Sequence, residues 1–382
     1  MKHRRSAFVV FAILGGAGLA LVIVASRLDQ RWYERHVWQP LNILMADDFH
    51  SLRRLRAVLR VTGIVLLCAS PPLAWLAGRV SPWNLLAGAG RIAVALLLVL
   101  PASELMLRAR TVPSRPSWAE LLEPDPRLGW TTRRSAQLSR EVGGREITMA
   151  FNAEGARALD VQQRSDPAKP AILFAGESVV MGQGLRLEET WPALVAARLG
   201  VQAVNLGVVA YSTDQTLGRI EEALPRYAQP VAVVADFLPG QLLRNIDDDR
   251  PHLALQDDGT LAARTVSPPV LRLSRLVDSL PYTSERTMRR SILLTSALLR
   301  EIARVTLLRG ARPLFFVPSV GPKRAFEERG EAALLQEIFA ELPLVVVDFD
   351  DRMRVPGDGH PDARANALFA DAVASALLRP SP

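Results

Sequence analysis

The sequence is poor in the side chains that build disulfides and many metal sites. Its 382 residues include a single cysteine, Cys68, and five histidines, of which only His252 and His360 lie beyond residue 115. One cysteine excludes a disulfide within the chain and any cysteine-cluster metal site. A reaction in the C-terminal part that requires an imidazole would therefore have to use His252 or His360.

Acidic residues are scarce at the N-terminal end. The first 115 residues contain 15 lysines and arginines against 5 acidic residues, whereas the remaining 267 contain 31 against 34. The isoelectric point near 10.2 therefore reflects the N-terminal segment alone. A nucleic-acid-binding domain is excluded for the slightly acidic C-terminal part. Disorder is excluded as well, because 49% hydrophobic residues can bury a large core.

Residues 1–110 form a predicted membrane region with three spans, at 7–26, 61–78 and 84–107. The first is an uncharged run of 20 residues, the length that a bilayer core requires. Its basic flank also resembles a signal peptide, but the apolar run is too long for one, so an uncleaved anchor is favoured. Three such runs do not fit a soluble domain. We expect a multi-pass protein of the cell membrane whose partner is the lipid bilayer.

The side of the membrane that holds the C-terminal domain stays open. With three spans, the loop at 27–60 and its seven arginines share a side with that domain. The positive-inside rule then favours a cytoplasmic domain. Residues 51–60 (SLRRLRAVLR) could instead form a basic amphipathic helix on the lipid surface.

Residues 111–145 contain several prolines and are predicted to be a loosely structured linker. From 146 to 382, apolar runs alternate with amphipathic helices, which indicates an α/β domain with a parallel sheet covered on both faces. Predicted strands are 146–151, 170–175, 201–205, 230–237, 312–317 and 343–348. Predicted helices are 189–199, 213–226, 288–309, 331–341 and 361–378. Residues 245–286 are predicted to be an insertion with a hairpin around Asp257-Asp258-Gly259.

Two short motifs could carry chemistry. Gly176-Glu177-Ser178 follows the strand at 170–175, which places Ser178 at the carboxyl edge of the sheet, where ligands bind in such folds. Taken alone, Ser178 is better explained as a helix N-cap than as a nucleophile. Asp358-Gly359-His360-Pro361 precedes the last helix, so Asp358 could orient one imidazole nitrogen while the other faces a serine. Alone, Asp-Gly-His fits a surface turn.

Taken together with VNLGVVAYSTDQ (204–215), these motifs resemble the SGNH/GDSL hydrolase family over roughly 170–380. PDPRLGW (124–130) is similar to the segment that precedes the domain in membrane-anchored bacterial members. The resemblance implies a flavodoxin-like three-layer α/β/α fold. It also implies an esterase or O-acyltransferase with Ser178 as nucleophile, His360 as general base and Asp358 as orienting acid. Neither a metal ion nor an organic cofactor is implied. The expected substrate bears an ester, on a glycan or a lipid, and the layout is typical of members that act outside the cytoplasm.

The sequence departs from the family pattern at the oxyanion hole. The expected backbone donors are Ser178 and a glycine of the motif that matches 204–215. In this sequence that glycine is replaced by Ala210. The Ala210 N–H remains usable if this position does not require a positive φ. Family members also have an asparagine in a third motif, which would fall near Gly240 and is missing here. Gln241 or Asn245 would have to supply the side-chain amide in its place.

These departures leave a second hypothesis, a catalytically weakened or inactive module that binds a carbohydrate or a protein at the membrane. A third, phosphate binding at the glycine turn of 176–184, is disfavoured because the turn lacks a Gly-Lys-Ser/Thr ending.

Overall fold

The structure is a computed structural model that describes residues 2–28, 48–79, 82–109, 118–246, 250–264, 285–323 and 325–379. It divides into two compact units. The described residues of the helical unit lie between 2 and 109, and those of the α/β unit lie between 118 and 379.

The helical unit consists of helices α1 (Lys2–Arg27), α2 (Asp48–Ala77) and α3 (Pro82–Ala109). The three predicted spans fall on these helices. Two segments are long and apolar enough to cross a membrane, Ala7–Arg27 and Leu55–Ala77. In α3 the apolar stretch is shorter, Leu97–Met106. The described helices therefore support two candidate spans, and the third predicted span is not confirmed.

Glycines let α1 and α2 approach closely. A Cβ atom added to Gly18 would lie 2.7 Å from the carbonyl oxygen of Gly63, and one added to Gly63 would lie 2.7 Å from that of Gly18. Small residues at a crossing point are typical of helix pairs in membranes, where packing rather than water exclusion holds helices together. Large apolar side chains such as Phe8 and Ile13 are exposed on the same unit.

The α/β unit contains twelve described strands. These are β1 (Leu122–Asp125), β2 (Gly129–Thr132), β3 (Ala136–Val142), β4 (Arg145–Phe151), β5 (Arg157–Ala158), β6 (Ala171–Ala175), β7 (Gln202–Asn205), β8 (Pro230–Asp236), β9 (His252–Leu255), β10 (Leu261–Arg264), β11 (Arg312–Gly321) and β12 (Leu344–Asp350). Its described helices are α4 (Ser178–Met181), α5 (Trp191–Leu199), α6 (Thr213–Ala223), α7 (Gln241–Arg244), α8 (Glu285–Leu308), α9 (Ala325–Phe339) and α10 (Ala363–Leu378).

The main sheet has eight strands in the order β12-β11-β8-β6-β7-β5-β4-β3. From β12 to β7 all pairs are parallel, as predicted, whereas β5, β4 and β3 pair antiparallel. The sheet is therefore mixed, and the prediction of a parallel sheet is corrected at this edge. For the β3–β4 pair, the cause is the turn: Gly143 and Gly144 both have positive φ, which makes the two-residue turn of an antiparallel hairpin.

Helices cover both faces of the sheet, as two neighbouring residues of β11 show. The ring of Phe315 packs 5.5 Å from that of Phe339 on α9, measured between centroids. Phe316 points to the opposite face, where its ring lies 5.0 Å from Phe369 on α10 and 4.9 Å from Trp191 on α5. Successive strand residues point to opposite faces, so the two rings mark two helix layers around one sheet.

The predicted linker is folded from residue 118 onward. It forms β1, β2 and β3, and Trp118 is 1% exposed in a cluster with Ile147, Met149 and Phe151. The α/β unit therefore begins before residue 146. The predicted start of the domain at residue 146 is therefore too late. Strand β3 (AQLSREV) pairs with β4 along its whole length, but it has few large apolar residues that would identify it as a strand. Residues 111–117 lie outside the described residues.

The predicted insertion contains the expected hairpin. Strands β9 and β10 pair antiparallel across Asp257-Asp258-Gly259. Residues 247–249 and 265–284 of this insertion lie outside the described residues.

Candidate functional site

Ser178 stands directly beyond the carboxyl end of the central strand β6. All five residues of β6 are buried, and the chain then turns at Gly176 into α4, which begins at Ser178. Gly176 has φ +150°, and a Cβ atom there would lie 1.9 Å from Oδ1 of Asp236. Only glycine permits this close approach, so the turn that presents Ser178 requires it.

The structure brings the three predicted residues together. The Oγ atom of Ser178 lies 2.8 Å from Nε2 of His360, and Nδ1 of His360 is hydrogen-bonded to Oδ1 of Asp358. His360 and Asp358 come from the loop between β12 and α10. The last helix begins two residues later than predicted, because the side chain of Asp362 accepts hydrogen bonds from the N–H groups of Arg364 and Ala365 and so caps it.

Asp358 is held in its ionised form. Burial raises the pKa of this carboxyl, but hydrogen bonds from His360 and from Gln183 outweigh burial, and the net effect lowers the pKa. The Nε2 atom of Gln183 donates to Oδ2 of Asp358 at 3.0 Å. The carboxylate can therefore accept from Nδ1–H of His360, which leaves Nε2 free to accept a proton.

The segment 204–215 (VNLGVVAYSTDQ) lies against the residues that follow Ser178. A Cβ atom on Gly207 would lie 2.2 Å from the backbone nitrogen of Met181, so this contact is backbone to backbone. Ala210 has φ +59°. The position therefore does adopt a positive φ, and Ala210 keeps its backbone N–H in that conformation at a steric cost. For a residue with a Cβ atom this conformation costs about 1–2 kcal/mol.

The two possible substitute donors are both buried and both hydrogen-bonded elsewhere. The Nδ2 atom of Asn245 donates to Oγ1 of Thr295 at 2.7 Å and to Oγ1 of Thr213 at 3.2 Å. The Nε2 atom of Gln241 lies 3.4 Å from Oδ1 of Asp236, and its Oε1 accepts from Oγ1 of Thr213. Asn245 thus joins α6 to α8, and Gln241 joins α6 to the end of β8.

A charged cluster that the sequence analysis missed lies beside Ser178. Glu177 pairs with Arg244, whose guanidinium also donates to the carbonyl oxygen of Tyr211 at 3.1 Å. The buried carboxyl of Asp236 accepts from the Glu177 N–H at 3.2 Å. Burial and the neighbouring carboxyl of Glu177 raise the pKa of Asp236 well above its ordinary value. Glu177 lies within the Gly176-Glu177-Ser178 motif, but no motif marks Asp236 or Arg244, because each contacts a partner distant in sequence.

Arg157 is a second missed residue. It is buried on the short strand β5, and its guanidinium donates to the carbonyl oxygens of Met181, Gly182 and Leu185, at 2.6 Å for Gly182. Burial lowers the pKa of Arg157 to about 10, against the opposing effect of two nearby glutamates. This cation binds the end of α4 and the turn after it. It therefore holds the segment that carries Ser178.

Among the described residues, no group of three or more His, Cys, Asp or Glu side chains is arranged to hold a metal ion.

No family model matches the chain, and no curated protein matches it. Solved structures do match, and they include proteins named for the same G-D-S-L group that the motifs resemble. A protein described as lipolytic and of the G-D-S-L family, from Desulfitobacterium hafniense, is 11% identical, with a TM-score of 0.32 over 54% of this chain and 98% of that one.

Two further matches are of the same degree. A member of the lipolytic G-D-S-L family from Veillonella parvula is 14% identical, with a TM-score of 0.31 over 55% of this chain and 100% of that one. An acetyl xylan esterase from Butyrivibrio proteoclasticus is 11% identical, with a TM-score of 0.32 over 56% of this chain and 64% of that one.

Proposed function

We propose that the α/β unit is an SGNH/GDSL-type serine esterase or O-acyltransferase that acts through an acyl-serine intermediate. The observation that supports it most is the 2.8 Å separation of Ser178 Oγ and His360 Nε2, with Asp358 hydrogen-bonded to the other ring nitrogen. A nucleophile within reach of a base, itself oriented by a third group, is the arrangement that nucleophilic acyl transfer requires.

The first half of the reaction forms the acyl-serine. Ser178 Oγ attacks the ester carbonyl carbon as His360 Nε2 takes the hydroxyl proton, and the carbonyl oxygen becomes an oxyanion. Asp358 keeps the proton on Nδ1 and stabilises the imidazolium. The carbon–oxygen ester bond then breaks, and His360 returns the proton to the leaving alcohol.

The oxyanion would be bound by the backbone N–H groups of Ser178 and Ala210. The Ser178 N–H lies in the first turn of α4, where backbone N–H groups have no acceptor within the helix. Two donors fixed at the point where charge develops stabilise a tetrahedral intermediate. Neither Gln241 nor Asn245 is assigned this role, because their amide groups are bound to the residues given above.

The second half transfers the acyl group to water or to the hydroxyl of an acceptor such as a sugar. His360 takes the proton of that hydroxyl, the acyl-serine bond breaks, and Ser178 regains its proton. Hydrolase and transferase therefore differ only in which hydroxyl reaches the acyl carbon.

We further propose that α1 and α2 attach the enzyme to the cell membrane, where its substrate is an ester on a glycan or a lipid. Both helices contain a segment long and apolar enough to span a bilayer. Alkaline phosphatase and a fluorescent protein, each fused at the C-terminus, report the side of the membrane. Phosphatase activity without fluorescence would place the domain outside the cytoplasm, and the reverse result would place it inside.

A non-catalytic binding module is the alternative. It is favoured because the amide groups of Gln241 and Asn245 are hydrogen-bonded to other side chains. Neither amide then replaces the asparagine that the family has near position 240. The retained hydrogen bonds of Ser178, His360 and Asp358 argue for the enzyme.

The test uses the full chain in detergent with p-nitrophenyl acetate and a fluorophosphonate probe. Ser178→Ala should abolish labelling and lower kcat by roughly 10⁴-fold or more. Ser296→Ala is the matched control, because Ser296 is as buried as Ser178 but lies on α8 and bonds the carbonyl oxygen of Ile338. Turnover and labelling that do not depend on Ser178 would overturn the proposal and favour the alternative.

A further inference from the structure

The backbone carbonyl groups of the loop that contains Ala210 accept hydrogen bonds from side chains. Three successive carbonyl oxygens each accept a hydrogen bond from a different side chain. The pairs are Trp130 Nε1 to Val209 at 3.0 Å, Arg250 to Ala210 at 2.9 Å, and Arg244 to Tyr211 at 3.1 Å. The donors come from β2, from the segment before β9 and from α7, so three elements fix one short loop.

The first of these bonds acts on the N–H group of Ala210. A trans peptide group is planar, and its C=O and N–H point in opposite directions. The carbonyl of Val209 and the N–H of Ala210 belong to the same peptide group. A donor that fixes the direction of the Val209 oxygen therefore also fixes the direction of the Ala210 N–H.

The indole of Trp130 is itself held in place. The hydroxyl of Tyr211 donates to the backbone carbonyl of Trp130 at 2.7 Å, and the two rings pack edge to face with centroids 5.9 Å apart. The guanidinium of Arg250 lies over the same indole, 5.0 Å from its centroid. Trp130 donates to the loop at Val209 and accepts from it at Tyr211. These reciprocal hydrogen bonds hold β2 and residues 209–211 together as one unit.

Such support is needed because Ala210 has a left-handed backbone conformation. Glycine adopts φ +59° without steric cost, but alanine does not, so the turn here must be stabilised from outside. The three side-chain donors supply that stabilisation.

We propose that Trp130 is a positioning residue that directs the Ala210 N–H toward the oxyanion. This proposal rests on the proposed function. Trp130 touches no reacting atom and acts only through the Val209–Ala210 peptide group. It lies in the segment predicted to be a linker, so the part of the α/β unit before residue 146 would contribute to the active site.

The test replaces the indole with a ring that cannot donate. Trp130→Phe keeps an aromatic ring but removes Nε1, so we expect kcat for p-nitrophenyl acetate to fall roughly 10- to 100-fold with KM within about twofold. The matched control is Trp118→Phe, because Nε1 of Trp118 has no hydrogen-bond partner in the part of the chain that the structure describes. The control should keep the wild-type kcat.

A second substitution distinguishes positioning of the Ala210 N–H from a general loss of stability of the protein. Ala210→Gly removes the steric cost of the turn, so adding Trp130→Phe to Ala210→Gly should lower both kcat and Tm less than it does in the wild-type background. An unchanged kcat in Trp130→Phe, or equal losses in both backgrounds, would overturn the proposal.

Failure of the proposed function gives a different result. In that case the wild-type chain itself shows no Ser178-dependent turnover or labelling, and Trp130 has no catalytic effect to exert. The coupling between the two substitutions in Tm would still measure whether Trp130 holds the loop.

Discussion

The side-chain amide of Asn205 donates a hydrogen bond to the carbonyl oxygen of Val180 at 2.8 Å. Its Oδ1 atom accepts one from the N–H of Gly207 at 3.0 Å. One buried side chain thus joins the end of β7 to the helix that begins at Ser178. The Gly176-Glu177-Ser178 motif and the segment 204–215 are therefore parts of one hydrogen-bonded unit.

Gly207→Ala should disrupt this unit. The added Cβ atom would lie 2.2 Å from the backbone nitrogen of Met181, so α4 must shift. We expect a loss of about 1–3 kcal/mol in the free energy of unfolding together with a lower kcat. In Gly321→Ala, the control, the added Cβ atom would lie 3.8 Å from the carbonyl oxygen of Phe349, an ordinary contact. Equal Tm values for the two variants in detergent would contradict the prediction.

Ala210→Gly should stabilise the protein. Relief of the left-handed strain at φ +59° exceeds the extra freedom that glycine brings to the unfolded chain, for a gain of about 1 kcal/mol. Ala193→Gly, inside α5, should have the opposite sign, with a loss of about 1 kcal/mol. Thermal unfolding of both variants beside the wild type checks the signs. A lower Tm for Ala210→Gly would show that the turn is not strained.

Asp358→Asn should lower kcat by roughly 10⁴-fold, because a neutral amide neither fixes the tautomer of His360 nor stabilises its charged form. The control is Asp362→Asn, since asparagine caps helices as well as aspartate does and Asp362 caps α10. That variant should keep both kcat and Tm. A similar kcat for the two variants would remove Asp358 from its proposed role.

Asp236 should make stability depend on pH. Burial and Glu177 raise its pKa, so the folded state favours the protonated carboxyl. Its contribution to stability is complete below the ordinary carboxyl pKa of about 4 and is lost as the pH rises through the raised value. Asp236→Asn keeps a hydrogen-bond acceptor but does not titrate, so its Tm advantage over the wild type should grow with pH.

The control for this measurement is Asp258→Asn, which changes an exposed carboxyl in the hairpin turn. Its Tm difference from the wild type should not follow the Asp236 profile. Parallel profiles for wild type and Asp236→Asn between pH 4 and 8 would contradict the assignment.

The sequence predicted the parallel half of the sheet well because its strands are apolar runs bounded by turn residues. The sequence also singled out Ser178, Asp358 and His360, which the structure brings together, since each lies beyond the end of a strand in a recognisable motif. Trp130, Arg157 and Arg244 were missed for one physical reason: they donate to backbone carbonyl oxygens far away in the chain. Trp130 and Val209 are 79 positions apart, and any residue can present a carbonyl oxygen.

The backbone at Ala210 was equally hidden. Alanine favours negative φ, so nothing local predicts its left-handed conformation, which depends on tertiary contacts around residues 209–211. The antiparallel edge was missed because β3 and β5 are polar or short, and their pairing depends on neighbours rather than on their own composition.

The folded state of residues 118–142 decides where this protein can be divided. A fragment that starts at residue 146 would lack β3 and leave β4 as an open edge with unpaired backbone groups. It would also uncover Ile147, Met149 and Phe151, which Trp118 packs against. Exposed strand edges beside apolar surface promote association between chains. Such a fragment should aggregate, whereas one that keeps Trp118 retains the whole sheet.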